Sequence, residues 1–252
     1  MNVVRFELIE LPYPTLARFG LTQEMIEDLP MRVLDEICDG RHSPVLPVRV
    51  RDEKGELIES RSRFALVRRD DGLSDVVFYP VLESSPLERY DEAQQKQLLA
   101  GKAILADVET ADGRHSKAFV QIDEETKQAM YIPTPIIGRN LQVLADIMHL
   151  GTMEVNSMQN GEPLTLVVDD EPVTVGIDLH DKTGIRFCSG DSQKWKEQPK
   201  REWDKYTFGV YGCWVMDDDG NLDYVPEEEY TEELWNEQKK SAERNRAAGV
   251  HK

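Results

Sequence analysis

The chain reads as an α+β protein of three related units, each a helix followed by three antiparallel strands, then an aromatic hairpin and a C-terminal helix. Three observations predict this. The first is an internal repeat. Ala65-Leu66-Val67-Arg68-Arg69-Asp70 … Val77-Phe78-Tyr79-Pro80 aligns with Ala118-Phe119-Val120-Gln121-Ile122-Asp123 … Met130-Tyr131-Ile132-Pro133, with fifteen steps from alanine to proline in both. Each block reads as strand, acidic turn, strand, and a proline that ends pairing. The second is a set of short helical segments closed by Gly40, Gly101 and Gly151, 61 and then 50 residues apart. Glycine just past a helix enters the left-handed conformation without a Cβ clash. The third is an extended run after each glycine that ends in a turn signal: Lys54-Gly55, Asp112-Gly113 and Asn160-Gly161.

The elements follow in order. Residues 3–9 read as a strand, and Tyr13 to Gly20 as a short helix ended by its glycine. Thr22 is placed to cap the next helix. Pro30 interrupts that helix before Met31–Cys38. The first unit, 1–87, continues through Val45–Val50 and the Ala65–Pro80 block. The second, 88–136, has its helix before Gly101, an extended Ala103–Val108 and the Ala118–Pro133 block. The third, 137–192, is weaker: a helix before Gly151, an extended Met153–Val155, and a strand pair around Val175–Phe187. One such unit cannot bury its own apolar faces, so the copies are expected to pack on one another.

The last part, 193–252, differs in composition. Trp195, Trp203, Tyr206, Phe208, Tyr211 and Trp214 crowd into twenty residues. Thr207–Met216 reads as one strand, Asp217–Asn221 as a hairpin turn and Leu222–Val225 as the return. Thr231 is placed to cap a final helix from about 232 to 246, with acids first and bases last to suit the helix dipole.

At 252 residues the chain is long enough for a real core, and 40% apolar with 31% charged residues is a globular composition. The net charge of −18 argues against duplex DNA and anionic membranes as partners, since both attract basic surface. No stretch approaches the roughly 18–20 apolar residues of a membrane span, and the first residues lack a signal-peptide pattern. Cys38, Cys188 and Cys213 are too scattered for a disulfide framework, which makes a cytoplasmic location the expectation.

Candidate sites are sparse. Cys38 and His42 are two ligands where zinc needs three or four. Gly-Arg-His-Ser occurs at 40–43 and 113–116, but at different points of the repeat, so both read as turns. Asp178 and His180 share one face of a predicted strand and could do acid–base work; with no nucleophile in view they read as an exposed pair. Asp217, Asp219, Asn221 and Glu228 resemble a calcium loop whose sixth position would have to be glycine and is Leu222, so a hairpin turn is the simpler reading. No phosphate-cradling, nucleophile-elbow or zinc-protease motif is present. No cofactor, metal or catalytic residue is therefore expected. Two surface features remain. Lys194–Lys205 holds five bases against three acids with Trp195 and Trp203 interleaved; such rings can stack on a partner or fold back onto the sheet. Asp217–Glu237 holds ten acids and no base, a run that either solvates the protein or imitates a phosphate backbone.

Leu11-Pro12-Tyr13, Leu16, Phe19-Gly20-Leu21, Leu29-Pro30 and Gly40-Arg41-His42-Ser43-Pro44 resemble the N-terminal part of an uncharacterised protein family. That family is carried on conjugative transposons and related mobile elements of Bacteroides-type gut bacteria. Leu98–Lys102 with Gln121–Thr126 resembles its partner repeat domain, and Tyr206–Trp214 with Tyr224–Tyr230 its closing segment. The resemblance implies a setting of DNA transfer, mobilisation or maintenance, and no activity.

The function expected from these readings is a non-enzymatic accessory factor that binds a protein partner, with self-association as a further option. Its contacts are expected at Trp195, Trp203, Tyr206, Tyr211 and Trp214. The alternatives are an acidic DNA mimic of the anti-restriction type, a single-strand nucleic-acid binder using 194–214, and an enzyme with an unrecognised site.

Overall fold

Single residues set the boundaries of the first helices. The structure, a computed structural model, describes residues 5–51, 54–109, 113, 115–181, 183–196 and 203–249, the side chains of 245 and 247–249 excepted. Helix α1 (Tyr13–Ala17) stops short of Gly20, which takes a positive φ. Thr22 Oγ1 accepts from the Met25 amide and starts α2 (Gln23–Glu27). Pro30 separates it from α3 (Met31–Cys38). The strand expected at 3–9 is not formed over the described residues 5–9, where Leu8–Glu10 is a 3-10 turn. The Phe6 amide donates to the Cys38 carbonyl instead, so it satisfies an orphan group of the α3 terminus rather than a sheet.

The sheet that follows is an antiparallel meander of β1 (Leu46–Arg51), β2 (Leu57–Arg68) and β3 (Ser74–Pro80). The second unit repeats this topology with α4 (Glu92–Leu99), β4 (Ile104–Glu109), β5 (His115–Ile122) and β6 (Ala129–Pro133). Asp91 caps α4 in a reciprocal box with Gln94. The repeat blocks thus share strand order and direction, and both prolines close a third strand: Pro80 pairs with Ser62 and Pro133 with Ala118.

The third unit departs from its expected layout. Two helices precede its sheet, α5 (Thr134–Met148) and α6 (Thr152–Gln159). Met153–Val155, expected to be extended, lies inside α6, because Glu154 reaches back to the Gly151 amide at 2.6 Å and opens a helix there. Gly151 therefore starts a helix rather than ending one. The true cap is Gly161 (φ +80°), so Asn160-Gly161 is a helix terminus and not a hairpin. The three caps become Gly40, Gly101 and Gly161, 61 and 60 residues apart, more regular than the sequence reading. The sheet is β7 (Leu164–Val168), β8 (Glu171–Ile177) and β9 (Ile185–Ser189), followed by α7 (Ser192–Lys196). Its first hairpin turns on Asp169-Asp170, both at positive φ, the two-residue turn that suits strand twist.

The chain ends in a fourth meander, β10 (Tyr206–Phe208), β11 (Gly212–Met216) and β12 (Leu222–Pro226), and then α8 (Glu232–Gly249), which Thr231 Oγ1 caps. The class is α+β: eight α-helices and four small antiparallel sheets among the described residues.

Two units result. One joins Met1–Pro80 to Arg201–Lys252; the other is Val81–Lys200. In the first, Leu16, Ile26 and Ile37 from the helices meet Leu46 and Phe64 from one sheet and Trp214 and Leu222 from the other. In the second, β5 is buried on both faces. Val120 and Ala118 pack with Leu98 and Ile104 on one side, while Phe119 packs with Ile137, Leu141 and Val175 on the other. Repeats two and three therefore share a core through α5, and the first repeat completes its own with the aromatic sheet.

The caps give a stability prediction. A Cβ at Gly161 would strike the Ala103 carbonyl oxygen, whereas at Gly40, with nearly the same φ, nothing stands in the way. Gly40→Ala should cost about 1 kcal/mol for the left-handed backbone. Gly161→Ala should cost about 3 kcal/mol, since the backbone must also shift. Denaturant unfolding of the two variants checks this; equal losses would mean the close approach at Ala103 is not maintained.

Candidate partner-binding surface

The residue that organises the aromatic region lies far from it in sequence. Asp28, at the end of α2, is 4% exposed. Its carboxylate accepts from the Val210 amide (2.6 Å), the Tyr211 amide (3.0 Å) and the Tyr224 hydroxyl (2.6 Å). These bonds bend the chain at 209–211, so the strand expected over 207–216 is two strands, β10 and β11, joined by a tight turn. The Gly209 amide donates to the Gly212 carbonyl at 2.8 Å and closes it. Both glycines are required by space. A Cβ at Gly209 would overlap the Asp28 carboxyl, and one at Gly212 would lie 2.5 Å from both the Tyr224 hydroxyl and the Val225 carbonyl. The clasped turn holds Val210 79% exposed and Tyr211 45% exposed.

Beside it, β10, Tyr230 ahead of α8 and Trp235 in its first turn form a row of rings. Tyr206 and Phe208, two apart on one strand, share a face with centroids 6.3 Å apart. Phe208 meets Tyr230 edge-on at 6.1 Å, and Tyr230 meets Trp235 edge-on at 5.1 Å. The first three rings are half-buried and Trp235 is exposed. The Tyr206 hydroxyl donates to Glu233 Oε1 at 3.0 Å, and Lys205 Nζ stands 5.6 Å from the Tyr206 ring centre. Partial desolvation first, and the Glu233 carboxylate second, hold the Tyr206 hydroxyl above its ordinary pKa. Glu227, Glu228, Glu229, Glu232 and Glu233 are exposed along the segment that carries Tyr230 and Trp235.

The expected contact residues separate. Tyr206 and Tyr211 belong to this surface. Trp203 packs half-buried against the core of the same unit. Trp214 is wholly buried, its Nε1 donating to the Met25 carbonyl at 3.0 Å; it is a core residue and presents no surface. Trp195 belongs to the other unit, where its ring lies over Gly176 and 3.8 Å from the Arg186 guanidinium. Trp195 thus folds back onto its sheet. Much of the basic stretch, 197–202, lies outside the described residues. Phe208, Tyr230 and Trp235 join the surface in addition to the contacts expected from the sequence; Tyr230 and Trp235 lie beyond the aromatic-rich segment 195–214.

The second polar cluster is the Asp178–His180 pair, and it is not exposed. Asp178 is 2% exposed and sits in the turn after β8, not on the strand. Its carboxylate takes the His180 Nδ1 at 2.8 Å and faces Arg186 Nε at 2.7 Å. His180 Nε2 lies 3.7 Å from Asp123, whose carboxylate also accepts from Thr126 Oγ1 at 2.7 Å. Burial would lower the imidazole pKa, but the Asp123 and Asp178 carboxylates outweigh it and raise it to about 9. Both ring nitrogens face carboxylates, so the imidazole is charged and engaged, a poor general base. The pair clamps the loop after β5 to the loop after β8. The Cys213 thiol, pushed up to about 11 by burial, is equally unsuited to nucleophilic work.

Among the described residues no group of three or more His, Cys, Asp or Glu is placed to hold a metal ion, and no helix is long and apolar enough to cross a membrane. Residues 6–90 match the family described as "Protein of unknown function (DUF4099)". The match spans α1, α2, α3 and the first sheet, including the Leu11–Pro44 motifs, and ends before α4. No curated protein and no solved structure matches the chain.

Proposed function

We propose that the protein is a non-enzymatic interaction factor that binds a protein partner through the aromatic surface of its first unit. It works in the cytoplasm as an accessory of a mobile genetic element. The clasped Val210–Tyr211 turn carries this reading. A buried carboxylate and two obligatory glycines fix the backbone of a turn whose side chains are left in water. A pre-ordered tyrosine such as Tyr211 loses little entropy on association, and tyrosines are among the side chains that dominate interface energetics. The mobile-element setting rests on the resemblance of the N-terminal motifs alone; the family matched over 6–90 is described only as of unknown function.

The test is a photo-crosslinking residue placed at Tyr211 in the native host, with the same residue at the exposed Tyr131 of the second unit as control. A discrete protein adduct is expected from the first position only. Tyr211→Ala with Trp235→Ala should weaken capture of that partner about a hundredfold, as hot-spot truncations do, with the folded circular dichroism unchanged. Capture that persists in the folded double variant would overturn the proposal.

A further inference from the structure

We infer that the partner segment seated on the aromatic row is cationic, a lysine- or arginine-rich stretch of protein. The inference rests on the reading that this surface binds a protein. The row sets four rings in sequence, from Tyr206 through Phe208 and Tyr230, all half-buried, to the exposed Trp235. One end already has a cation beside it: Lys205 places its ammonium 5.6 Å from the Tyr206 ring centre. That is the separation at which ring quadrupoles attract a positive charge.

The rim supplies the matching charge. Glu227, Glu228 and Glu229 lead directly into Tyr230, and Glu232 and Glu233 lie between Tyr230 and Trp235. All five are exposed. Glu233 is held toward the row by the Tyr206 hydroxyl. No lysine or arginine interrupts the chain from Asp217 to Glu237, and the first base of α8 to bond a carboxylate, Lys240, is matched by Glu237 at 2.7 Å. Aromatic rings could also stack on nucleic-acid bases, but this rim would repel the phosphates such a ligand brings. A cationic side chain gains from ring and rim together, and the rim carboxylates act within about one Debye length, roughly 8 Å at physiological salt.

The experiment uses the full chain and a short labelled peptide alternating lysine and serine, with glutamate–serine and glutamine–serine peptides as controls, read by fluorescence anisotropy. Only the lysine peptide should bind, and its affinity should fall about tenfold or more between about 50 and 300 mM salt. Phe208→Ala with Trp235→Ala, and separately Glu227→Gln with Glu228→Gln and Glu229→Gln, should each weaken it about tenfold. Removing three exposed carboxylates from the second unit (Glu92→Gln, Glu124→Gln, Glu171→Gln) should leave it nearly unchanged. Equal loss in that control would mean diffuse attraction to an acidic protein and would overturn the inference. So would absence of lysine-peptide binding. If the crosslinked partner still depends on Tyr211 and Trp235 while the lysine peptide fails, the binding surface stands and its cationic specificity does not.

Discussion

Asp28→Ala should destabilise the first unit by about 4 kcal/mol, the largest single-residue loss expected in this protein. The carboxylate is almost fully buried and receives two backbone amides and a phenolic hydroxyl. Each donor left without an acceptor in a buried site costs about 1–2 kcal/mol, and bonds to a charged acceptor lie at the upper end. Asp28→Asn keeps the shape and one acceptor oxygen but turns an NH2 group toward donors, so about half the loss is expected. Tyr224→Phe removes only the hydroxyl and should cost about 1 kcal/mol. Denaturant unfolding of the three variants orders them. If Asp28→Ala loses less than Tyr224→Phe, the clasp does not hold the turn. The same variant should also blunt partner capture, because Val210 and Tyr211 would no longer be presented in one geometry.

His180 acts through pH. Its raised pKa makes the second unit depend on pH in a definite direction. In the unfolded chain the imidazole titrates near its ordinary 6.5; in the fold it titrates near 9. The folded state therefore binds more protons between these values, and the stabilisation is complete below about 6.5 and disappears as pH rises through about 9. A shift of this size corresponds to roughly 3 kcal/mol at full strength. The side chain remains 26% exposed, so about 2 kcal/mol is the realistic loss. At the acid end the sign reverses. Burial opposes ionisation of Asp178, but His180 and Arg186 prevail and hold its carboxyl below the ordinary 3.8, so its contribution is present above that value and lost as pH falls further. Unfolding free energy of the second unit should decline between pH 6.5 and 9, and His180→Gln should flatten the decline. An unchanged slope in the variant would show that another group titrates there.

Much of the fold is legible locally. Thr22 and Thr231 announce helix starts because a side-chain oxygen answers a free amide three residues on, and Gly40 and Gly101 announce ends because only glycine takes their φ without cost. What escapes is set from a distance or by an atypical signal. The break at Gly209–Tyr211 depends on Asp28, 182 residues upstream of Val210. Asp178 is buried because Arg186 and Asp123, from different loops and strands, converge on it and on His180. The third unit is misread because Asn160-Gly161 fits a hairpin turn as well as a helix cap, and because the real hairpin uses Asp169-Asp170 with no glycine to mark it. The binding surface is half legible: Tyr206 and Tyr211 stand in a visibly aromatic segment, whereas Tyr230 and Trp235 join them only through the packing of α8.

The split make-up of the first unit has a consequence for how the chain is born. Residues up to Pro80 leave the ribosome without Trp214 and Leu222, which complete their core. All of Val81–Lys200 must be synthesised before those residues appear, a delay on the order of ten seconds at ordinary translation rates. The second unit can close as it emerges; the helices around Leu16 and Ile37 must wait, greasy and incomplete, for a late arrival. A ribosome stalled just after Val81–Lys200 has emerged from it would therefore hold one finished half and one half ready for a chaperone.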